Sequence, residues 1–494
     1  MKMKVTYVFA VSMFAVVLAA ISGCEKDFLE VSPQGQLTDA LFPKSEGDLL
    51  LALNGAYAQT RVWQYHSGGF PIADIMSDDN RKGSNPGDGS RLNLFDNFTY
   101  TSTASDIFPW YSALYQAVKA ANVVTDFAPE IDMDAAKRNR FLGEARFLRA
   151  MSYFNLVRAF GAVPKVTTVH AEVNLERTPA SEIYNDVIIE DLLFASQNLP
   201  EKSDYESSDL GRATRGAAKA LLAKVYLYTG NYTLAESYAL EVINSGQYDL
   251  EVNFSDVFSL QGQNGIESVF EIGALPFETT ENGGNQYANT QGVRGTPNRG
   301  WGFNRPAPSL VNAFEANDTR RDASVIFLGE VLDGVLIEGD ISTPDTTWDP
   351  TNTFVIETEC YNQKVWLPGS NTTELWGFNV KVLRYAEVLL IAAEAMNENG
   401  NGGGALQYLN EVRNRAGLDD ITETGQSALR DIILNERRFE LAMEGNRFYD
   451  LVRTGKAAEV LGPLGFQSGK HELFPIPQSE IDLSGGILTQ NPGW

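Results

Sequence analysis

One pattern of small and apolar residues occurs twice in this chain, and the two copies lie a constant 170 residues apart. The first copy comprises Ala223, Tyr226, Gly230, Ala235, Ala239 and Val242, and the second comprises Ala393, Met396, Gly400, Ala405, Leu409 and Val412. The spacing is that of a tetratricopeptide unit, which has small residues where two helices touch, glycine in the turn and alanine early in the second helix. The pattern predicts stacked helix pairs, with a coincidence between alanine-rich helices as the alternative.

Helical periodicity extends over two blocks, residues 45–246 and 382–455, in which apolar residues recur at intervals of three and four. Within the first block it predicts helices at 181–198, 214–229 and 233–245. Such amphipathic helices bury one face each, so both blocks are expected to contribute to one helical scaffold.

The intervening residues 247–380 differ in composition from the two helical blocks. They are rich in Gly, Asn, Thr and Pro and contain β-branched runs at 268–272 and 354–356, which predict strands and long loops. A second long loop is predicted at 67–105. We therefore expect a mainly α fold of tetratricopeptide-like helix pairs, an alpha-alpha superhelix, with a loop- and strand-containing insertion that forms a variable binding face.

The first residues have the order of a lipoprotein signal peptide. Lys2 and Lys4 form a short basic start, an uncharged apolar run covers 5–21, and small residues precede Cys24. Small side chains fit the signal peptidase and the thiol accepts a lipid, so we expect a chain anchored by acyl groups, including palmitate, on Cys24. The alternative is a transmembrane anchor, because a run of about 17 apolar residues is at the short end of the spanning range.

The chain is thus expected to divide into four parts. These are a signal peptide at 1–23, an N-terminal helical repeat region at 24–246, the insertion at 247–380, and a C-terminal helical region with a closing extended tail at 381–494.

Charge and cysteine content restrict the partners of this chain. The formal net charge of -25 disfavours nucleic acid or an anionic membrane surface as a partner, because both repel an acidic protein. With Cys24 acylated, Cys360 has no partner for an internal disulfide. It is therefore predicted to be a buried structural thiol.

Residues that commonly carry catalysis are sparse. His66, His170 and His471 lie far apart without metal-ligand spacing, and the sequence contains no nucleophile elbow, zinc-protease motif or phosphate-binding loop. Asp78 and Asp79 form the nearest carboxylate pair, for which a solvated or calcium-attracting acidic loop is the simpler interpretation. We expect no enzymatic activity, no cofactor and no metal site, with a glycosidase as the competing hypothesis.

Several segments, in this order and spacing, carry a family resemblance. They are EKDFLE at 25–30, NERRFEL at 435–441, EGNRFYDL at 444–451, FPIPQSEI at 474–481 and QNPG at 490–493. With them, essentially the whole mature chain resembles the SusD/RagB family of outer-membrane glycan-capture lipoproteins. From the residues themselves, the charged side chains at 436–444 are expected to pair with one another on a helix, and the closing proline-containing segment is expected to pack back on the helices.

The resemblance implies a function as well as a fold. It implies four tetratricopeptide-like helix pairs, binding of an oligosaccharide at the surface of the outer membrane, and a SusC-like TonB-dependent transporter over which the lipoprotein acts as a lid. Glu25 and Asp27, directly after Cys24, agree with surface export of such a lipoprotein. The alternatives are binding of a peptide or another nutrient in the same lid role, or a scaffold that holds the transporter with little ligand binding of its own.

The resemblance also implies ligand contacts in the loop after the first helix and in the insertion. Aromatic rings stack on the C–H face of a sugar while Asp, Asn and Arg side chains hydrogen-bond its hydroxyls, and both regions contain this mixture. The candidate ligand-binding residues are Asp78, Asp79, Asn80, Arg81, Asn285, Tyr287, Arg299 and Trp301.

Most of these candidates have a structural alternative. Arg81 either binds two hydroxyls or neutralises Asp78 and Asp79. Trp301, between two glycines, either presents an accessible ring or anchors a packed loop, and Tyr287 and Trp376 are equally undecided. Trp110, at the start of a predicted helix, is expected in the core.

Overall fold

A computed structural model describes residues 42–85, 87–172, 175–277, 283–340, 359–368 and 374–494 of the chain. The predicted signal peptide, Cys24 and the predicted strand at 354–356 lie outside these ranges.

Ten α-helices of seven or more residues form the framework of the described chain. They are α1 (Glu46–Arg61), α2 (Ile107–Phe127), α3 (Ala135–Phe160), α4 (Glu190–Asn198), α5 (Arg215–Tyr228), α6 (Tyr232–Ile243), α7 (Tyr385–Glu398), α8 (Gly402–Arg415), α9 (Gln426–Glu440) and α10 (Arg447–Arg453). Shorter helices are Ile72–Ile75, Asn93–Asp96, Ala180–Ile183, Tyr287–Gln291, Pro308–Val311, Thr319–Ser324, Ala457–Leu461 and Gln478–Leu483, and a π-helical segment, Tyr184–Ile189, leads into α4. The predicted mainly α fold is confirmed. Within the described ranges, no helix combines the length and the apolar character that crossing a bilayer requires.

The internal repeat corresponds to two helix hairpins of matching design, α5–α6 and α7–α8. Gly230 and Gly400 occupy equivalent turns with φ of +74° and +83°, a region that costs glycine little but strains other residues. The next residue in each turn, Asn231 or Asn401, caps the second helix by accepting a hydrogen bond from the backbone N–H three positions on. The two hairpins pack through α6 against α7, so the repeat unit predicted from the spacing is present.

Ten short strands form five two-stranded antiparallel sheets within the described ranges. They are β1 (Asn80–Gly83) with β5 (Phe303–Pro306), β2 (Val163–Pro164) with β3 (Arg177–Thr178), β4 (Ser268–Ile272) with β10 (Val380–Arg384), β6 (Val325–Phe327) with β9 (Cys360–Asn362), and β7 (Val331–Leu332) with β8 (Val335–Leu336). The predicted strand at 268–272 is confirmed. The β1–β5 pair joins the loop after α1 to the insertion, since Arg81 lies opposite Arg305 and Gly83 opposite Phe303.

Aromatic packing closes the core between the first helices and the end of the chain. Trp110 is 2% exposed and lies with its ring centroid 5.3 Å from Phe160 and 5.1 Å from Phe474. The Phe474 N–H donates to the Ala159 carbonyl. Both the core position of Trp110 and the packing of the closing segment on the helices are as expected from the sequence.

Cys360 is a buried free thiol, as predicted. It is 2% exposed and its Sγ lies 3.4 Å from the Pro306 carbonyl oxygen. Burial raises the pKa of this thiol to about 12, so it stays protonated and unreactive at neutral pH.

Buried ion pairs hold α9 to the surrounding elements. Arg384, at the end of β10, donates to Glu267 at 2.5 Å, to Glu440 at 2.9 Å and to Glu444 at 2.8 Å. Arg437, three residues before Glu440 on α9, donates to Asp450 at 2.9 Å. The charged residues of this segment therefore serve the scaffold, as the helical spacing indicated, with partners on other elements rather than within one helix.

Replacement of Arg384 tests this network. Arg384→Leu leaves three buried carboxylates with fewer cations, and we expect a loss of about 3–5 kcal/mol in the free energy of unfolding. Chemical denaturation of the variant measures the loss. Arg321→Leu is the matched control. The Arg321 side chain is 41% exposed, and its ion pair among the described residues is with the neighbouring Asp322, so we expect a change below about 1 kcal/mol. Equal effects from both substitutions would contradict the interpretation.

Candidate functional site: an aromatic surface between two loops

Three aromatic rings from two distant parts of the sequence meet at one site. Trp63 lies in the loop after α1, and its ring centroid is 5.9 Å from that of Trp301 in the insertion, with the planes 80° apart. Phe70 lies 5.2 Å from Trp63 and 6.4 Å from Trp301. Both tryptophans are half-buried, whereas Phe70 is buried behind them. We call Trp63, Trp301 and Phe70 the aromatic surface.

Glycines allow these rings to approach the backbone. Gly69 has φ of +96°, and a Cβ at this position would lie 2.8 Å from the Trp63 ring. Gly300 packs against the backbone of Gly292 and Asn289, where a Cβ would come within 2.7 Å of either. The glycine before Trp301 thus serves close backbone packing, and the ring of Trp301 is partly packed and partly exposed, which lies between the two alternatives considered for it.

His66 and Asn285 connect the two loops beside this surface. The His66 Nε2 lies 3.3 Å from the Asn285 Nδ2, and the His66 ring also hydrogen-bonds the backbone of Thr60 at the end of α1. Burial lowers the pKa of His66 to about 4. The ring is therefore neutral at physiological pH, and its Nε2 accepts a hydrogen bond from the Asn285 amide.

Tyr287 follows Asn285 by two residues and contacts it. The Asn285 Oδ1 accepts a hydrogen bond from the Tyr287 N–H, and the Tyr287 ring stacks on Phe378 at 6.1 Å. Tyr287 also borders a cavity of about 110 Å³, which His66 and Asp74 line as well. Its partial exposure is therefore at least in part toward this cavity.

Asp78 and Asp79 are neutralised by arginines that follow much later in the sequence. Asp78 accepts two hydrogen bonds from Arg447 at 2.8 and 2.9 Å, and Asp79 lies 2.6 Å from Arg438. Asp79 is also fully buried. These contacts connect the loop after α1 to α9 and α10.

The other polar candidates also make contacts within the protein. Asn80 is buried, and its Nδ2 lies 3.4 Å from the Asn304 carbonyl oxygen. Arg81 donates to the Asn80 carbonyl and has Asp96, at 3.9 Å, as an ion-pair partner. The cations that pair with Asp78 and Asp79 are thus Arg447 and Arg438. Arg299 is 4% exposed, and its Nη1 donates to the Leu367 carbonyl.

The histidines do not assemble a metal centre in the part of the chain that the structure describes, where no group of three or more His, Cys, Asp or Glu side chains could hold an ion. His471 packs among aromatic rings near the end of the chain, 5.3 Å from Trp494. The chemistry that the aromatic surface offers is stacking and hydrogen bonding.

Comparison with known proteins places this arrangement in a family. The sequence profile of the SusD family matches residues 266–494, and a profile described as "Starch-binding associating with outer membrane" matches residues 27–227. A SusD-like protein of Formosa agariphila, P2, is 30% identical over 97% of this chain and 99% of its own length. The chain belongs to the SusD family.

Solved structures of SusD-like proteins have the same fold. A laminarin-binding SusD-like protein is 30% identical, with a TM-score of 0.77 over 92% of this chain and 100% of its own. Surface glycan-binding protein A from Bacteroides thetaiotaomicron, in complex with laminarihexaose, is 28% identical, with a TM-score of 0.75 over 91% of this chain and 100% of its own.

Two residues of this SusD-family chain, Trp63 in the aromatic surface and His66 at its border, were not predicted as ligand residues from the sequence. Trp63 was not among the candidates, and His66 was considered only as a metal ligand. The run at 63–70, which contains Trp, Tyr, His and Phe directly after the last turn of α1, is the signal that could have identified them. A dense aromatic run at the start of a long loop has no helical periodicity to bury it.

The cavity lined by His66 and Tyr287 contains a carboxyl group that yields a pH-dependent prediction. Asp74 is 2% exposed and accepts hydrogen bonds from the Gly445 N–H at 2.8 Å and from Asn304 at 3.4 Å. Burial raises the pKa of Asp74 to about 7. Because the folded pKa lies above the unfolded one, the contribution of this group to stability is present below about pH 4 and is lost as the pH rises through about 7.

Asp74→Asn removes this loss while it keeps an acceptor for the Gly445 N–H. We expect the melting temperature of the variant, relative to the wild type, to improve steadily from about pH 5 to about pH 8. Thermal unfolding at a series of pH values measures the difference. Asp322→Asn, at a carboxylate with 73% side-chain exposure, is the control and should show no such trend. A difference in melting temperature between Asp74→Asn and the wild type that is constant with pH would contradict the raised pKa of Asp74.

Proposed function

We propose that this chain is a non-enzymatic, lipid-anchored protein of the outer membrane that captures an oligosaccharide at the aromatic surface and delivers it to a SusC-like TonB-dependent transporter. The observation that carries the proposal is the meeting of Trp63 and Trp301, both half-buried, at a site built from two loops. Indole rings that keep exposed area offer a place for the C–H face of a sugar ring.

The surroundings of the rings support capture rather than chemistry. Asn285 is 1% exposed, and its amide contacts the His66 ring and the Tyr287 N–H, so that it joins the two loops beside the rings. The carboxylates predicted as ligand residues, Asp78 and Asp79, are paired with Arg447 and Arg438, which opposes a role as a free acid and base pair. We carry Tyr287 and Trp301 forward as proposed ligand residues and add Trp63. For Asp78, Asp79, Asn80, Arg81, Asn285 and Arg299, the contacts favour positioning of the loops.

The relatives suggest the class of ligand. Two of the similar structures are those of proteins named for binding laminarin or solved with laminarihexaose. Laminarihexaose is therefore the first ligand to test, followed by oligosaccharides of other linkages. A peptide ligand in the same role is the competing hypothesis. Failure of every oligosaccharide in the panel to bind would favour it.

Substitution of the two tryptophans tests the proposal directly. We expect Trp63→Ala and Trp301→Ala each to raise the Kd for the bound oligosaccharide at least about tenfold, or about 1.4 kcal/mol, because a stacked aromatic anchor is lost. Isothermal titration calorimetry measures the affinity. Trp494→Ala is the matched control: this half-buried tryptophan packs on Tyr100 and His471, away from the aromatic surface, and its loss should leave the Kd unchanged.

Further outcomes of these assays separate the alternatives. An unchanged Kd in both tryptophan variants, with melting temperatures near that of the wild type, would contradict oligosaccharide binding at the aromatic surface. Uptake of the oligosaccharide by cells that carry Trp63→Ala and Trp301→Ala should fall, whereas a protein that only holds the transporter would leave uptake unchanged. Release of reducing ends from any polysaccharide by the purified protein would favour a glycosidase instead.

The lipid anchor is tested separately. We expect Cys24→Ala to abolish incorporation of labelled palmitate and to move the protein from the membrane fraction to the soluble fraction, because Cys24 supplies the only predicted acylation site. Cys360→Ala is the control, since this thiol is buried in the fold. Retention of the label in Cys24→Ala would exclude the predicted anchor.

A further inference from the structure

The negative charge of this chain is concentrated in the insertion. Residues 247–380 contain 19 acidic and 6 basic residues, a formal net charge of -13, out of -25 for the whole chain. The insertion contributes Trp301 and Tyr287 to the proposed site. The part of the chain that supplies Trp301 to the aromatic surface is therefore also its most acidic part.

Each of the six basic residues of the insertion already has a partner within the protein. Five of them pair with carboxylates: Arg294 with Asp88 and Asp340, Arg305 with Glu359, Arg320 with Asp318, Arg321 with Asp322, and Lys364 with Glu444. The sixth, Arg299, is buried, donates to the Leu367 carbonyl and stacks on Trp366 at 4.9 Å. The segments 278–282, 341–358 and 369–373 contain neither Lys nor Arg.

Arg91 and Lys82, in the loop after α1, also have partners within the protein. Arg91 lies 5.1 Å from the centroid of the Phe70 ring and makes a bidentate contact with Asp106 at 2.8 and 2.9 Å. Lys82 donates from its Nζ to the carbonyl groups of Asn85 and Asp88. The positive charge of Arg91, next to Phe70 of the aromatic surface, is thus balanced by a carboxylate that is itself 5% exposed.

We infer that the ligand is an uncharged glycan and that the charge distribution excludes sulfated and uronic-acid polysaccharides. Proteins usually bind a sulfate or a carboxylate through Arg or Lys side chains. The side chain must be available to exchange its water for the anion. Here Arg91 and the basic residues of the insertion are already engaged within the protein, and the net negative charge of the chain repels a polyanion before contact. This inference rests on the proposed glycan binding and adds a specificity to it.

The test compares a neutral glycan with charged ones. Affinity electrophoresis in native gels that contain laminarin, starch, sulfated laminarin, alginate or polygalacturonate measures how strongly each polymer retards the protein. We expect retardation by a neutral polymer and none by the three polyanions. Sulfated and unsulfated laminarin share a backbone, so calorimetry with this pair isolates the charge. We expect the sulfated form to bind at least about tenfold more weakly at about 10 mM salt, and the gap to narrow toward 1 M salt, where the Debye length falls from about 30 Å to about 3 Å.

One substitution provides an internal check. Asp106→Asn removes the charge that balances Arg91 and should improve binding of sulfated laminarin while it leaves binding of the neutral form unchanged. Tight binding of any polyanion by the wild type at low salt would overturn the inference and leave glycan capture standing. If no polymer of either class binds, glycan capture itself fails, and the inference fails with it.

Discussion

Glu440 on α9 joins the insertion to the helical repeats. Its carboxylate accepts hydrogen bonds from Arg320 of the insertion at 3.2 Å, from Arg384 of β10 at 2.9 Å and from Arg415 of α8 at 2.5 Å. Each of these charges costs several kcal/mol to remove from water, and only complete pairing offsets that cost. Because the partners come from three parts of the chain, the network is satisfied only when all three are folded together. The described part of the insertion around Arg320 is therefore fixed to the scaffold.

The same helical segment supports the aromatic surface from behind. Arg438 and Arg447 bind Asp79 and Asp78, and the Gly445 N–H donates to Asp74. These contacts hold the loop after α1, which continues through β1 to its pairing with β5. The family motifs at 435–451 thus act on the site indirectly. They position two loops whose rings touch, while they contribute no ring of their own to the aromatic surface.

In this SusD-family chain, the rigid framework and the excess of negative charge lie in different parts of the sequence. The helical repeats and buried ion pairs provide rigidity, and the insertion combines half-buried indole rings with an excess of carboxylates. Stacking on rings and hydrogen bonding to amides do not depend on ligand charge, whereas long-range repulsion does. Under the proposed function, a binding face built in this way selects a neutral ligand by its shape and hydroxyl pattern.

Periodicity, turn glycines and apolar burial are local or nearly local properties, and from them the sequence predicted the helices, the repeated hairpin, the core position of Trp110 and the buried state of Cys360. The pairing of the charged residues near Glu440 could also be expected. The partners of the polar candidate residues became visible only in the folded chain. Asp78 and Asp79 find arginines more than 350 positions later, and Trp63 meets Trp301 across the two loops. Such partners are set by how distant elements pack, and no spacing along the chain specifies them.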